Sequence, residues 1–442
     1  MQNSIEFFVV LALVCLAEAA PAWTLHAGPM PGWVGMRSAA IWLQADGPGI
    51  ARVAYWPVGA AHKRVQTDAQ ALSVEFDYIT LFEITELDPG TTYAYEVLDG
   101  DTAISLEVLR FHTQVLWQWR APPPDFEVAV GSCSYTNDPP FDRPGKPYGG
   151  GYGIFKHIAA LQPAFMLWLG DNVYLREADF LSRGGAAYRY RYARNLNELQ
   201  PLLRGTHHVA IWDDHDYGPN NSNRAYVFKR ESLEIFKRYW ANPNYGQPDV
   251  PGIFTSVSYG DAEFFLMDNR YYRDADHAAG LKDKQMFGRD QMRWLKNALR
   301  VSRARFKFIV NGSEMLNRHN RFEGWNHFPR EQGDFLAWLA ANRIPGVMFL
   351  SGDRHFTKLA STSRQGTYDL YELTCSPLTS SPFENYEASN DPEVDAGTLV
   401  RERNFCVISF SGPAAARALT LSSRDGAGRL LWQRRIEAAA LK

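Results

Sequence analysis

The stretch Trp212-Asp213-Asp214-His215-Asp216 places three carboxylates and an imidazole within five residues. The apolar run 208–212 that leads into it is typical of a buried strand, and Gly218-Pro219 then breaks the chain into a loop. Carboxylates at the end of a buried strand are costly to desolvate, so they need partners or a bound cation. Taken alone, the motif is better explained as a capped loop with an acidic surface.

Other apolar runs also end in residues that could bind a metal ion or a substrate. These runs and the groups that follow them are 126–130 before Gly131-Ser132-Cys133, 165–169 before Gly170-Asp171-Asn172-Val173-Tyr174, 264–267 before Asp268-Asn269-Arg270, 306–310 before Asn311-Gly312, and 347–350 before Ser351-Gly352-Asp353-Arg354-His355. Sites in α/β proteins lie at the carboxyl ends of the strands, so we expect these groups to lie near one another. Singly, each has an ordinary explanation, such as an Asp that caps a helix or a Cys that is inert core.

The side chains in this set differ in the metals that they prefer. The thiolate of Cys133 and the phenolate of Tyr174 suit a highly charged, fairly soft ion such as Fe³⁺, whereas the carboxylates suit Ca²⁺, Mg²⁺ or Mn²⁺. The combination therefore predicts a hydrolytic centre with more than one metal ion.

The elements that must position these residues divide the chain into two parts. Residues 24–115 contain short alternating runs separated by turns such as Asp88-Pro89-Gly90, which predicts an all-β sandwich. Residues 116–124 include three consecutive prolines and are typical of a linker. From 125 to 442, apolar runs alternate with helical patterns, which predicts an α/β domain. The predicted helices are 188–203, 228–240, 291–299 and 334–341.

The N-terminus indicates a signal peptide. Residues 7–16 are apolar but too few to span a bilayer, and Ala17-Glu18-Ala19-Ala20 resembles a cleavage site. We predict a signal peptide over residues 1–20 and export to the periplasm or the cell exterior. Residues 1–6 lack Lys and Arg, and there is no twin-arginine pair, so a buried first strand or helix is the alternative. We expect no transmembrane segment elsewhere.

Charge and cysteine content exclude some classes of protein. The 442 residues include 46 basic and 49 acidic side chains, a net charge of −3, which argues against a nucleic-acid scaffold. Cys133, Cys375 and Cys406 are spaced like neither a disulfide framework nor a zinc finger. A disulfide between Cys375 and Cys406 is possible and would leave Cys133 as a free thiol.

In their order along the chain, these motifs resemble the alkaline phosphatase D family, a branch of the metallophosphoesterases. The resemblance covers about residues 125–380, and the β-sandwich ahead of it resembles a fibronectin type III domain. It implies a four-layer αββα sandwich and a phosphoric ester hydrolase that contains Fe³⁺ and Ca²⁺. Zn²⁺, Mn²⁺ or Mg²⁺ could stand in their place.

The resemblance also implies a set of metal ligands. The residues expected to bind metal are Cys133, Asp171, Tyr174, Asp214, Asp353, His355 and Asn311. Cys133, Asp171 and Tyr174 correspond to the ferric ligands, with Asp171 bridging to the second ion. His355 is expected either as a ligand or as a group hydrogen-bonded to one. Asp213 is expected to be a supporting residue.

Catalytic residues follow from the same correspondence. His215 takes the position of a histidine that contacts the phosphate and protonates the leaving group, while a metal-activated hydroxide attacks phosphorus. Arg270 and Arg354 are candidate phosphate-binding residues, with ion pairs to neighbouring carboxylates as the alternative. Asp216 stands where the common motif has Glu, which leaves its role open. Trp325 and His327 are expected to line the mouth of the cleft.

The predicted function is metal-dependent hydrolysis of phosphate monoesters or diesters, with a small phosphorylated molecule as substrate. One alternative is a phospholipase D-like phosphodiesterase. Another is a non-enzymatic surface-binding protein with a degenerate catalytic domain, although the intact set of ligands argues against it.

Overall fold

A computed structural model describes residues 23–104, 107–278, 280–386, 391 and 393–442. The predicted signal peptide at residues 1–20 lies outside the described residues. Among those described, no helix is both long enough and apolar enough to cross a membrane.

The N-terminal part consists of β-strands, as predicted. Its strands are β1 (Leu25–Val34), β2 (Ala39–Ala45), β3 (Gly49–Pro57), β4 (Val65–Gln66), β5 (Gln70–Leu72), β6 (Ile79–Ile84), β7 (Thr92–Asp99), β8 (Thr102–Ala103) and β9 (Leu109–His112). One sheet has the order β1-β2-β6, and the other has the order β4-β3-β7-β8 with β5 on β3 and β9 on β7. In β6, buried Phe82 lies between exposed Leu81 and Glu83, the alternation of a strand that has one face in the core.

The second part alternates strands and helices before it ends in three long strands. Its strands are β10 (Phe126–Gly131), β11 (Phe165–Leu169), β12 (His207–Ile211), β13 (Thr255–Tyr259), β14 (Ala262–Leu266), β15 (Phe306–Val310), β16 (Val347–Ser351), β17 (Lys358–Thr362), β18 (Leu370–Thr374), β19 (Asn404–Ser411), β20 (Ala418–Asp425) and β21 (Leu430–Glu437). Its helices are α1 (Ile154–Ala160), α2 (Arg183–Arg194), α3 (Gln200–Gly205), α4 (Asp214–Tyr217), α5 (Lys229–Tyr239), α6 (Arg289–Val301) and α7 (Pro329–Ala341).

In the part of the chain that the structure describes, these strands form two six-stranded sheets. Their orders are β12-β11-β10-β19-β20-β21 and β13-β14-β15-β16-β18-β17. Strands β10, β11 and β12 run parallel in the first sheet, and β14, β15 and β16 run parallel in the second. The six predicted strands are therefore divided equally between the sheets, and their carboxyl ends come from both.

The alternation of side chains along β14 shows how the layers pack. Phe264 points towards the other sheet, where its ring centroid lies 5.3 Å from that of Phe165 on β11. The next residue, Phe265, points the other way and lies 6.3 Å from Trp294 on α6. Each sheet thus has one face against the other sheet and one against helices, which confirms the predicted four-layer αββα arrangement.

A disulfide joins the two central sheets. Cys375, directly after β18, is bonded to Cys406 on β19, and both are fully buried. Cys133 remains as a buried free thiol among the described residues. Both outcomes agree with the pairing considered from the sequence.

The N-terminal part packs directly on the α/β part. The buried Trp42 indole donates a 2.8 Å hydrogen bond to the carbonyl of Arg238 near the end of α5, and its ring lies 6.2 Å from that of Tyr239. Met30 and Trp42 belong to the same continuous apolar core as the α/β sheets.

The prediction of one helix over residues 188–203 was wrong. The chain forms α2, breaks after Arg194 and restarts as α3, where Pro201 occupies the first turn. Proline has no N–H and its ring clashes inside a helix, so it is tolerated in the first turn and not in the middle. For a similar reason α7 begins at Pro329, five residues before the predicted start at Asp334.

Candidate metal centre

Several residues at the site hold a left-handed backbone although they are not glycine. Cys133 after β10, Asp171 after β11, and Asp353 and His355 after β16 have φ angles of 61°, 50°, 65° and 55°. This conformation costs an L-residue roughly 1–2 kcal/mol. Such outliers gather at functional sites, where the identity of the side chain matters more than the strain of the backbone.

Glycines of the second sheet let the two sheets meet at this edge. A Cβ on Gly312, which follows β15, would lie 2.3 Å from Cγ of Asp213. A Cβ on Gly352, which follows β16, would lie 2.7 Å from Cβ of Ser132. These contacts are too close for any side chain, so both glycines are needed for the strand ends of the two sheets to approach one another.

Potential ligand atoms form three overlapping groups among the described residues. The groups are Cys133, Asp171 and His355; Asp171, Asp214 and His215; and Asp213, Asp214 and Asp353. Within each group the ligand atoms lie within 4.8 Å of one another. Asp171 and Asp214 each belong to two groups, which is the arrangement expected for adjacent cations that share carboxylate ligands.

Asp171 is the centre of the first two groups. Its Oδ2 lies 3.5 Å from Sγ of Cys133 and accepts a 3.2 Å hydrogen bond from the Tyr174 hydroxyl. Its Oδ1 faces the other way, 3.4 Å from the backbone nitrogen of His215. One carboxylate therefore has an oxygen on each side, as the predicted bridging role requires.

His355 presents a ring nitrogen to this group. Its Nδ1 lies 2.7 Å from the carbonyl oxygen of Ser381, which can only accept a hydrogen bond. Nδ1 therefore carries the proton, and Nε2 is left with a lone pair 3.1 Å from the Tyr174 hydroxyl. Histidines that bind metals are commonly fixed in this way by a backbone carbonyl on the other nitrogen.

The third group contains oxygens without hydrogen-bond partners. Asp213 Oδ2, Asp214 Oδ1 and Asp353 Oδ2 are buried and accept no hydrogen bond from the described residues. Buried polar atoms are nearly always paired, and charged ones are costly to leave unpaired. A cation among these carboxylates would satisfy all three, so the residues fit a metal ion.

Electrostatics supports the same conclusion. Burial, and then the charges of Asp214 and Asp213, raise the pKa of Asp171 well above its ordinary value. Burial and the charge of Asp171 likewise raise the pKa of the Cys133 thiol. Because these pKa values are raised, protons and a metal ion compete for the same groups.

Arg270 lies within the cluster of carboxylates. Its side chain is fully buried; Nε donates a 2.6 Å hydrogen bond to Asp213, and its two terminal nitrogens bind both oxygens of Glu323 at 2.6 and 2.8 Å. Asp214 lies 3.7 Å away. The geometry favours the ion-pair alternative over a phosphate contact, with Asp213 and Glu323 as the partners.

Arg354 is also engaged by the protein. Its Nε lies 3.0 Å from Glu314 and its Nη1 lies 3.7 Å from Asp353. The guanidinium also lies near the rings of Phe322 and Phe356, at 4.9 and 5.4 Å. Its position beside Asp353 again matches the ion-pair alternative.

Asp216 organises the loop that carries Asp213 and Asp214. Its Oδ1 accepts hydrogen bonds from the backbone and the side chain of Asn172, both at 3.0 Å, and from the Tyr190 hydroxyl at 3.2 Å. Its Oδ2 accepts a 2.9 Å bond from the backbone nitrogen of Asp213, as part of a capping box. Both oxygens are thus occupied by the protein.

Trp325 and His327 belong to none of these groups, whereas Asn311 directly precedes Gly312, which packs against Asp213. Trp325 is fully buried, and its indole donates a hydrogen bond to Glu331. It therefore packs in the core and not at the mouth of a cleft, where it was expected. His327 is half-buried with its ring 5.0 Å from that of His277. Asn311 is fully buried and its amide donates to the carbonyl of Ser313, which leaves its Oδ1 without a partner among the described residues.

Three residues at the site were not predicted from the sequence. Asn269 donates a 2.7 Å hydrogen bond to Asp213, Glu323 holds Arg270, and the Ser376 hydroxyl donates to Sγ of Cys133 at 3.0 Å. Asn269 lies within the motif Asp268-Asn269-Arg270, so its position was a usable signal although no role was assigned to it. Glu323 and Ser376 lie in loops that carry no comparable pattern.

A cleft of about 740 Å³ opens beside the centre. Tyr174 and His215 form its inner end, and their rings lie 4.2 Å apart. Tyr135, Tyr148 and Phe180 form part of its walls. A molecule in this cleft would reach the metal ligands and the predicted proton donor together.

Comparisons with known proteins agree with this geometry. A family model described as PhoD-like phosphatase matches residues 128–418, and one described as a domain of unknown function (DUF7800) matches residues 22–116. No curated sequence matches the chain at a significant level.

Two solved structures resemble the whole chain. One, described as PhoD, has a TM-score of 0.76 at 15% identity and covers 94% of this chain and 93% of its own. The purple acid phosphatase PPD1 from yellow lupin (Lupinus luteus) seeds has a TM-score of 0.66 at 12% identity, with 92% and 74% covered. At these identities the likeness concerns the fold.

Removal of metal should destabilise the protein, and more so at higher pH. Because protons compete with the cation for carboxyl and thiol groups whose pKa values are raised, less competition remains as the pH rises, and metal affinity increases. A cation at about 100 times its Kd would stabilise the fold by about 2.7 kcal/mol. Calorimetry with and without a chelator, at about pH 6 and about pH 8, measures the change in Tm.

Two variants identify the carboxylates involved. Asp214→Asn should lose most of the metal-dependent change in Tm. Asp290→Asn, which alters an exposed carboxylate at the start of α6, should respond as the unaltered protein does. If the unaltered protein had the same Tm with and without metal at both pH values, the assignment of a metal centre to these carboxylates would be contradicted.

Proposed function

The chain belongs to the PhoD-like phosphatase family, and on this premise we propose that it hydrolyses phosphate monoesters and diesters at the cluster of Cys133, Asp171, Asp214 and Asp353. Family and fold make it a metal-dependent phosphoric ester hydrolase. The observation that carries the proposal is the overlap of three ligand groups through Asp171 and Asp214 beside an open cleft.

The ligand types suggest which ions are bound. Cys133, Tyr174 and His355 surround one oxygen of Asp171 with sulfur, phenol and imidazole, a set that suits Fe³⁺. Asp214, with the other carboxylates, supplies oxygen ligands that suit Ca²⁺. When bound, such ions lower the pKa of water and neutralise charge on the phosphate.

The chain's own residues position and protonate the substrate. His215 lies at the inner end of the cleft beside Tyr174, where its imidazole can give a proton to the departing oxygen. Arg270 holds Asp213 in the loop that follows β12 and joins it, through Glu323, to the loop that follows β15. Arg270 therefore acts by positioning carboxylates rather than by contact with the substrate.

The size of the cleft supports activity on diesters as well as monoesters. A phosphate group fills only a small part of about 740 Å³, so there is room for substituents on more than one phosphate oxygen. The aromatic walls beside His215 would contact such substituents.

We also propose that the protein is exported. The buried Cys375–Cys406 disulfide is of the kind that persists in oxidising compartments such as the periplasm or the cell exterior. This agrees with the signal peptide predicted from the sequence.

Replacement of His215 should slow hydrolysis in proportion to the need for a proton on the leaving group. His215→Asn is expected to lower kcat for an alkyl phosphate by about 10²–10⁴-fold. The loss should be much smaller for p-nitrophenyl phosphate, whose leaving group is stable as an anion. Steady-state kinetics on both esters measures the difference.

His157→Asn, which alters an exposed histidine on α1, serves as the matched control and should change neither rate. An equal loss on both esters in His215→Asn would contradict a role in proton donation.

The proposed Fe³⁺ site predicts a visible colour. Purified protein should show a broad absorption band from charge transfer between the Tyr174 phenolate and iron. Tyr174→Phe should abolish the band, whereas Tyr135→Phe should keep it, because the Tyr135 hydroxyl binds Asp142 and only its ring lies near Tyr174, at 5.0 Å. A colourless, iron-free and fully active enzyme would rule out the ferric assignment.

A further inference from the structure

The walls of the cleft contain more aromatic surface than the chemistry at phosphorus requires. Tyr148 is 40% exposed although it lies beside the centre, and Phe180 is half-buried with its ring at the cleft. Tyr135 is largely buried, with the Arg176 guanidinium 3.9 Å from its ring centroid, and it packs edge-on against Tyr148 at 4.9 Å. Aromatic faces open to a cleft offer a surface for a flat partner.

A proline-rich segment holds one of these walls in place. Residues 139–147 contain four prolines, of which Pro139, Pro144 and Pro147 line the cleft. Each proline fixes φ near −65°, so the segment has little freedom to lose when a ligand binds. A wall built in this way is preorganised for its ligand.

Tyr148, directly after this segment, is fixed from several sides. Its hydroxyl lies 3.1 Å from Nδ1 of His355, and its carbonyl accepts a 2.9 Å hydrogen bond from the Ser381 hydroxyl. Its ring lies 6.2 Å from that of Tyr174. The exposed face of Tyr148 is therefore rigid and points into a cleft continuous with the metal ligands.

The position of His215 fixes which part of a substrate enters this cleft. If His215 protonates the departing oxygen, the alcohol attached to that oxygen must lie on the same side of the phosphorus as the imidazole. His215 lines the cleft together with Leu175, Phe180 and Tyr148. The alcohol portion of the ester thus lies against the aromatic walls.

The rim of the cleft adds one uncompensated positive charge. Arg143 is paired with Glu177 and Arg176 with Asp142. Lys146 forms no ion pair within the part of the chain that the structure describes, and it lines the same cleft. A cation at the rim favours the approach of an anionic ester.

We propose that this cleft is a leaving-group subsite that selects phosphate esters whose alcohol carries a flat aromatic ring. The ring packs against the exposed surfaces of Phe180 and Tyr148 while the phosphate faces Tyr174 and His215. This inference rests on the proposed function, since it names the substrate class of the same site.

The test compares two esters that differ in the flatness of one ring. Benzyl phosphate and cyclohexylmethyl phosphate have leaving alcohols of similar size and acidity, and each is assayed as the monoester and as the symmetric diester. Aromatic stacking predicts a kcat/KM about 2- to 10-fold higher for the benzyl ester. This comparison uses the unaltered, metal-loaded protein and depends on no variant.

Two variants test whether Phe180 produces the preference for the benzyl ester. Phe180→Leu keeps an apolar side chain but removes the ring, and it should bring the benzyl to cyclohexylmethyl ratio close to one. Phe141→Leu alters a ring of the same proline-rich segment that packs against Tyr188 instead, at 5.6 Å, and it should leave the ratio unchanged.

The outcomes separate the inference from the function on which it rests. Hydrolysis of both esters at equal kcat/KM, or a preference that Phe180→Leu does not reduce, overturns the aromatic subsite and leaves the phosphatase assignment intact. If the protein hydrolyses neither the benzyl nor the cyclohexylmethyl ester, the aromatic subsite and the phosphatase assignment are both overturned.

Discussion

Repulsion among buried carboxylates is the constraint on which this site depends. Asp171, Asp213, Asp214 and Asp353 arise from three strand ends and face one another; the first three are buried and Asp353 is partly buried. An unpaired charge in such surroundings costs several kcal/mol, and Arg270 balances only part of the total. Bound cations relieve the repulsion, so metal binding and the order of this edge of the fold are coupled. The unpartnered oxygens and the raised pKa values both follow from this one condition.

The rest of the structure serves to bring these charges together. Gly312 and Gly352 let the second sheet touch the first, and the disulfide after β18 joins the same two sheets close to Cys133. The left-handed backbone at Asp171 and Asp353 turns their carboxylates towards the shared space. Strain, close packing and charge thus occur at the same few strand ends, as expected for a site that a bound ion completes.

The sequence predicted which strand-end residues come together better than it predicted their surroundings. Apolar runs that end in Cys133 or Asp171 placed these residues at strand ends because strand length and burial are local properties. The pairing of β19 with β10 was not predicted, because β19 comes from a distant part of the chain and strand order depends on long-range contacts. The partner of Arg270 could not be predicted either, since Glu323 lies in a remote loop and a motif does not show which way a guanidinium points.

Metal content measured on the unaltered protein and on Asp171→Asn decides whether Asp171 joins two metal sites. More than one ion per chain is expected in the unaltered protein. Asp171→Asn should lose at least one ion and the hydrolysis of p-nitrophenyl phosphate, with an unchanged circular dichroism spectrum. An Asp171→Asn protein that keeps its full metal content and its activity would contradict the bridging carboxylate and the shared centre built around it.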